Sequence, residues 1–200
     1  SFNLGTVFVH VHPGFHNVVF VPVLPIFDYA PCTGKVKRGI IGKQRFDLPV
    51  RIAVFCGVEL SYGGTDFLVY GLDKAWFLAH PEIMDMKKSE ELQLLMDAGA
   101  FVVHAHPMRE AAYIDHIRLF PRHVDGVEIM NANRPDEENN MAKIYCEHYG
   151  LIKFAGSDNH SASMQKKLFG VCFEEPICSV EDFIEKAKNG KAEVFALKSE

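Results

Sequence analysis

No stretch of this 200-residue chain is long and apolar enough to cross a bilayer. The longest apolar run, Val18 to Phe27, is too short and is interrupted by Pro22 and Pro25. A basic excess is also lacking: the net charge is -5, which argues against electrostatic binding of a nucleic-acid polymer. It does not exclude a nucleotide substrate, because bound cations would dominate the local field. The five cysteines (Cys32, Cys56, Cys146, Cys172, Cys178) are odd in number and form no Cys-x-x-Cys pair. That pattern argues against a disulfide framework and for a reducing compartment, with thiols expected to act as small apolar side chains. There is no basic segment ahead of a hydrophobic core, hence no secretory signal, and the start at Ser1 reads as processed or trimmed. Repeats, low-complexity tracts and linkers are absent too. The expectation is a cytoplasmic protein with one domain over residues 1–200.

What is present is a regular alternation of strand-like and helix-like segments from about Ile52 onward. Ala53 to Leu60 and Phe67 to Leu72 read as strands separated by Gly63-Gly64. Lys87 to Ala98 reads as a helix capped by Ser89 and stopped by Gly99. Ala100 to Val103 and Gly126 to Met130 follow as buried strands. In Glu138 to Tyr149, Met141, Ile144, Tyr145 and His148 recur at helical spacing and Gly150 terminates the helix. Leu151 to Ala155 is another strand. The last helix begins after Ser179, turns Val180, Phe183, Ile184 and Ala187 inward, and ends at Gly190. Strands alternating with helices predict βα units and a mostly parallel sheet. The first fifty residues, broken by Pro13, Pro22, Pro25 and Pro31, show no clear period beyond a strand at Val7 to Val9.

Polar groups with metal-ligand chemistry collect at the strand ends. His10 and His12 follow the first strand, with His16 close behind; Glu59 closes the second. His104 and His106 end the strand Phe101 to Val103, and Pro107-Met108-Arg109 follows. Glu128 and Asn131 end Gly126 to Met130, and Asp158 and His160 follow Leu151 to Ala155. Five strand ends each carry an acid, imidazole or amide, where βα barrels place their functional groups. Zinc, manganese and iron accept mixed imidazole and carboxylate ligands. Glu59 suits a bridging position between cations, and Arg109 suits a bidentate grip on phosphate. By strand alternation His104 would share a face with His106. Glu128 alternates with Val127 and Ile129, as a rim carboxylate paired with Arg134 or as support for a metal ligand.

These residues resemble the motifs of the PHP family, named for polymerase-associated and histidinol-phosphatase domains. Gly57-Val58-Glu59-Leu60 looks like its Gly-x-Glu motif, and His106-Pro107-Met108-Arg109 like its His-Pro-x-Arg motif. Gly126-Val127-Glu128-Ile129-Met130-Asn131 resembles Gly-x-Glu-x-x-Asn, and Gly156-Ser157-Asp158-Asn159-His160 resembles Gly-Ser-Asp-x-His. The resemblance runs from about Ala53 to Val194. It implies a distorted, seven-stranded β/α barrel holding one to three divalent ions (Zn, Mn or Fe) that hydrolyses a phosphate ester of a small metabolite or nucleotide with metal-activated water. Carried over, it makes His10, His12, Glu59, His106, Asp158 and His160 metal ligands. Glu59 and Asp158 become catalytic, and Arg109 and Asn131 substrate contacts. The departures lie early in the chain. Phe8 stands where the family has an aspartate, and its Thr-Asp-His motif is missing, with Asp28 the nearest substitute. Asp66 falls near where relatives carry a histidine, and joins His16 and His104 as a further candidate ligand. Two alternatives remain: a PHP-like binding or regulatory module without turnover, and an amidohydrolase, which usually ends on a solitary aspartate.

Overall fold

The computed structural model describes residues 2–12, 15–20, 53–158 and 167–198. The chain runs β1 (Phe2–His12), β2 (Phe15–Phe20), β3 (Ala53–Tyr62), β4 (Thr65–Tyr70), α1 (Lys74–Ala79), a 3-10 turn at Pro81–Asp85, α2 (Lys88–Asp97), β5 (Phe101–Ala105), β6 (Gly126–Asn131), α3 (Asp136–Tyr149), β7 (Ile152–Gly156), β8 (Lys167–Cys172), α4 (Val180–Lys188) and β9 (Glu193–Lys198). The strands form one sheet in the order β7-β6-β5-β4-β3-β1-β2-β8-β9. Six neighbouring pairs are antiparallel, and only β5-β6 and β6-β7 are parallel.

This corrects the expected seven-stranded β/α barrel. The sheet is mixed and open, with β7 and β9 at its ends, and among the described residues no ladder closes it into a barrel. The reason is local. Gly63 and Gly64, both at positive φ, make a two-residue turn that pairs Tyr62 with Thr65. That turn returns the chain as a hairpin where a crossover helix would have been needed for parallel pairing. One side-chain bridge does join the flank of β7 to β8. The Ser157 hydroxyl accepts from the Phe169 amide at 2.9 Å and donates to the Phe169 carbonyl at 3.0 Å.

Alternation along the strands sorts their side chains onto two faces. Val58, Leu60, Phe67, Val69 and Val102 pack against Phe77, Ile83, Leu92 and Leu95 from α1, the 3-10 turn and α2. Leu68, Tyr70, Phe101, Val103, Phe154 and Val171 take the other face, under Phe183 and Ala187 of α4. Gly57 makes room there for Tyr70: a Cβ at that position would lie 2.9 Å from the tyrosine ring. Glu59 and Asp66, out of step with Val58, Leu60 and Phe67, belong to this second face.

The helices differ from expectation in detail. Ser179 caps α4 by accepting from the Asp182 amide at 3.1 Å, and Phe183 and Ala187 are its buried residues. The cap position of α2 is Lys87, with Ser89 already inside the helix. α3 buries Ala142, Tyr145 and Cys146, leaving Met141 and Ile144 exposed at 39% and 67%. Its inward face is therefore one step round from the predicted one. Cys146 is buried but Cys178 is exposed, so the expectation of buried thiols does not hold for every cysteine. Among the described residues, no helix is long and apolar enough to cross a membrane.

Candidate metal centre

Three buried side chains from three strand ends meet on the α4 face of the sheet. Ligand atoms of Glu59 (β3), Asp66 (β4) and His106 (just past β5) all lie within 4.8 Å of one another. The β3–β4 hairpin brings the two acids together: Glu59 pairs with Leu68, and Asp66 lies two residues along on the same face. His106 arrives by a different device. Alternation would send its ring to the opposite face, but β5 stops at Ala105 and His106 takes a positive φ of 27°. Its Nε2 then lies 3.6 Å from Asp66 Oδ2. A non-glycine residue in this region is strained and persists where its surroundings hold it.

Glu128 does the holding. Its buried Oε2 accepts from the His106 main-chain N–H at 2.8 Å and from Asn131 Nδ2 at 3.0 Å. Arg134 takes no part in this and lies 4.0 Å from Glu138. Asn131 is itself consumed internally: its side-chain oxygen accepts from the Asn133 amide at 2.9 Å, and its main chain bonds Asn139. Asn133 in turn donates to the main-chain oxygen of Asp158, which adopts φ 44°. Arg109 closes the site on one side, with Nη1 3.1 Å from Asp66 Oδ2 and Nη2 donating to the Tyr113 hydroxyl at 2.8 Å.

The charges do not balance. Glu91, buried on the other face, has Lys88 as a direct partner. Among the described residues, Glu59 has no such cation. Burial first, then the negative charges of Asp66 and Asp158, push its carboxyl up to about 7, against the opposing pull of Arg109. Burial likewise raises Glu128 to about 7, although its bonds from Asn131 and His106 pull the other way. The His106 ring is held below the usual histidine range chiefly by burial, and its Nδ1 has no partner among the described residues. A neutral imidazole with crowded, desolvated carboxylates is a donor set that a divalent cation fits. The group can bind a metal.

The remaining candidates fall elsewhere. His104 lies in the apolar packing of the opposite face, stacked on Phe67 at a centroid distance of 4.8 Å and edge-on to Tyr145. Among the described residues, neither of its ring nitrogens has a partner. His10 and His12 lie on β1, and the ladder pairs Glu59 with Asn3, seven residues before His10. Such an offset corresponds to roughly 23 Å of strand, so the register does not bring the pair to Glu59. His16 lies on β2. Asp28 and His160 lie outside the described residues. Asp158 is close enough to shift both Glu59 and His106.

His104 gives a measurable consequence. Burial, then His106, lowers its pKa to about 3. The folded state thus keeps it neutral while the unfolded chain takes up a proton below about pH 6.5. Its contribution to stability is complete above that pH and is lost as pH falls toward 3. His104→Phe, an aromatic of similar size among Phe67 and Phe120, removes the penalty. We expect the variant to melt within a degree or two of the parent at pH 7.5 but roughly 4–8 °C above it at pH 5. Parallel melting curves at both pH values would show that His104 is not buried neutral.

Sequence and structure comparisons add a relationship. Residues 136–192, from α3 to the end of α4, match a family model described as PHP-associated. The match includes Asp158 and stops short of Glu59, Asp66 and His106. No curated protein matches the chain. Among solved structures, the crystal structure of PsfC from Pseudomonas syringae PB-5123 is similar at 17% identity and a TM-score of 0.48. The similarity covers 72% of this chain and 58% of PsfC.

Proposed function

We propose, on the premise of the PHP-associated match over residues 136–192, that the chain is a metal-dependent phosphoesterase acting on a small phosphorylated metabolite or nucleotide. The observation that carries the reading is the buried meeting of Glu59, Asp66 and His106, in which Arg109 is the one cation paired to the group among the described residues. These three residues would hold the cation, and Asp158 lies near enough to Glu59 and His106 to act on both. A zinc, manganese or iron ion bound there lowers the pKa of a coordinated water and offsets charge on the phosphoryl oxygens. Arg109 orients the phosphate: among the described residues its buried Nε–H has no acceptor, and its two other contacts fix the guanidinium plane. Asp158 is the carboxylate that takes the proton from the attacking water.

A second reading, a binding or regulatory module that holds a cation without turnover, draws support from the register of β1, which leaves His10 and His12 away from Glu59. One experiment separates the two. Protein purified without chelator is assayed for bound metal and then screened, with added Mn²⁺ or Zn²⁺, against phosphomonoesters, phosphodiesters and nucleotides. The enzyme reading expects metal and turnover together. Asp158→Ala should lose more than the ~10–100-fold that groups merely supporting metal ligands cost. Metal without turnover favours the module, and neither metal nor turnover removes both readings.

A further inference from the structure

The segment from His106 to Asp125 contains no helix or strand, yet it is anchored along its length. Arg109 ties its start to Asp66. Arg118 Nη1 donates to the Gly63 carbonyl at 3.1 Å. Between them Ile114 packs onto Gly64, so closely that a Cβ there would fall 2.4 Å from Ile114 Cγ1. The loop is thereby folded against the β3–β4 turn, and its residues from Arg109 to Ile117 line an open, largely solvent-exposed cleft of about 510 Å³. That volume is in the range of small-molecule sites. Ala111, Ala112, Ile114 and Ile117 give it an apolar wall, Glu110 and Asp115 add carboxylates, and His116 adds an imidazole.

We propose that this cleft receives the organic group of the substrate, with Arg109 as the wall shared between that group and the phosphate. The inference rests on the phosphoesterase reading and specifies it. One Arg109 nitrogen reaches Asp66 of the metal centre while the same side chain lines the cleft. A phosphate held by Arg109 therefore has its ester substituent beside the loop. The lining selects the chemistry of that substituent. Glu110 and Asp115 accept hydrogen bonds from hydroxyls, the His116 imidazole can donate or accept one, and the alanine and isoleucine side chains cover an apolar surface. The matching substrate is the monophosphate of a neutral, hydroxyl-bearing alcohol of sugar to nucleoside size.

Ala112→Trp tests this, since Ala112 is exposed and a larger side chain fills the cleft without entering the core. The probes are AMP, ribose 5-phosphate, adenosine and inorganic phosphate, titrated calorimetrically into the Mn²⁺-supplemented full chain. In the parent, at least one monophosphate should bind 10-fold or more tighter than inorganic phosphate. In Ala112→Trp that advantage should vanish while inorganic phosphate binds within twofold of the parent. The cleft assignment is overturned if neither monophosphate exceeds inorganic phosphate, or if Ala112→Trp leaves the advantage intact or weakens all the probes equally. Adenosine binding that Ala112→Trp abolishes, with no phosphate binding, would keep the cleft and discard the phosphoesterase reading. Absence of binding by every probe discards both.

Discussion

Glu59→Gln should weaken Mn²⁺ or Zn²⁺ binding by about 100-fold or more and at the same time stabilise the metal-free protein above pH 7. The two effects have one cause. Burial and the neighbouring Asp66 and Asp158 raise the Glu59 carboxyl to about 7 from 4.5. A raised acid favours the folded state while it is protonated, so its contribution is complete below about pH 4.5 and is lost as pH climbs through 7. At pH 8 the metal-free site carries an ionised carboxylate that a cation would otherwise offset. Glutamine keeps the shape and removes the charge. Its melting temperature with chelator present should equal that of the parent at pH 4.5 and exceed it by about 3–6 °C at pH 8. Calorimetric titration of metal reads the other half. Parental metal affinity would remove Glu59 from the centre, and equal melting at pH 8 would show that its charge is already balanced.

The fold was legible wherever a local signal has a local consequence. The Gly63-Gly64 turn, the stop at Gly150 with φ 64° and the Ser179 cap all sit where their residues demand. Strand direction was not legible. β4 and β5 are buried along their whole length, and such strands read as continuous apolar runs whichever way their neighbours run. The inward face of α3 was misjudged for a related reason. Met141 and Ile144 have the right spacing, but Ala142 and Cys146 are small enough to sit closest to the sheet, and the larger residues stay outside. Apolar character alone did not rank them.

At the candidate centre, Glu59 and His106 stood out from their residue types and strand-end positions. Asp66 gained its place through register: it neighbours Glu59 only because the hairpin closes on two residues. Its Phe67 neighbour and the turn residues carry that information, but only once the antiparallel pairing is known. His104 and His106 were separated by a backbone torsion that alternation cannot foresee. Glu128 alternates with Val127 and Ile129 in the sequence, yet its partners are a main-chain N–H and an amide, neither of which a pattern of charges reveals. Residue type located the chemistry; pairing and torsion decided which groups meet.

Glu128→Ala should lower the melting temperature by roughly 8–15 °C, whereas Glu128→Gln should stay within about 4 °C of the parent. The carboxylate oxygen that accepts from both His106 N–H and Asn131 Nδ2 is buried. Alanine leaves both donors unpaired, each at a cost of about 1–3 kcal/mol, and adds a cavity. It also removes the contact that opposes relaxation of His106 from φ 27°. Glutamine retains a carbonyl oxygen at the same distance and, above pH 7, removes a buried charge whose pKa stands near 7. Metal affinity should follow the same order, falling much further in Glu128→Ala than in Glu128→Gln because only alanine frees the His106 main chain. Amide exchange at His106, fast in alanine and slow in glutamine, reads that release directly and independently of global unfolding. If the His106 amide stays protected in Glu128→Ala, the strained turn is held by something other than Glu128; if glutamine loses as much metal affinity as alanine, the negative charge of Glu128 acts on the cation and its hydrogen bonds are secondary.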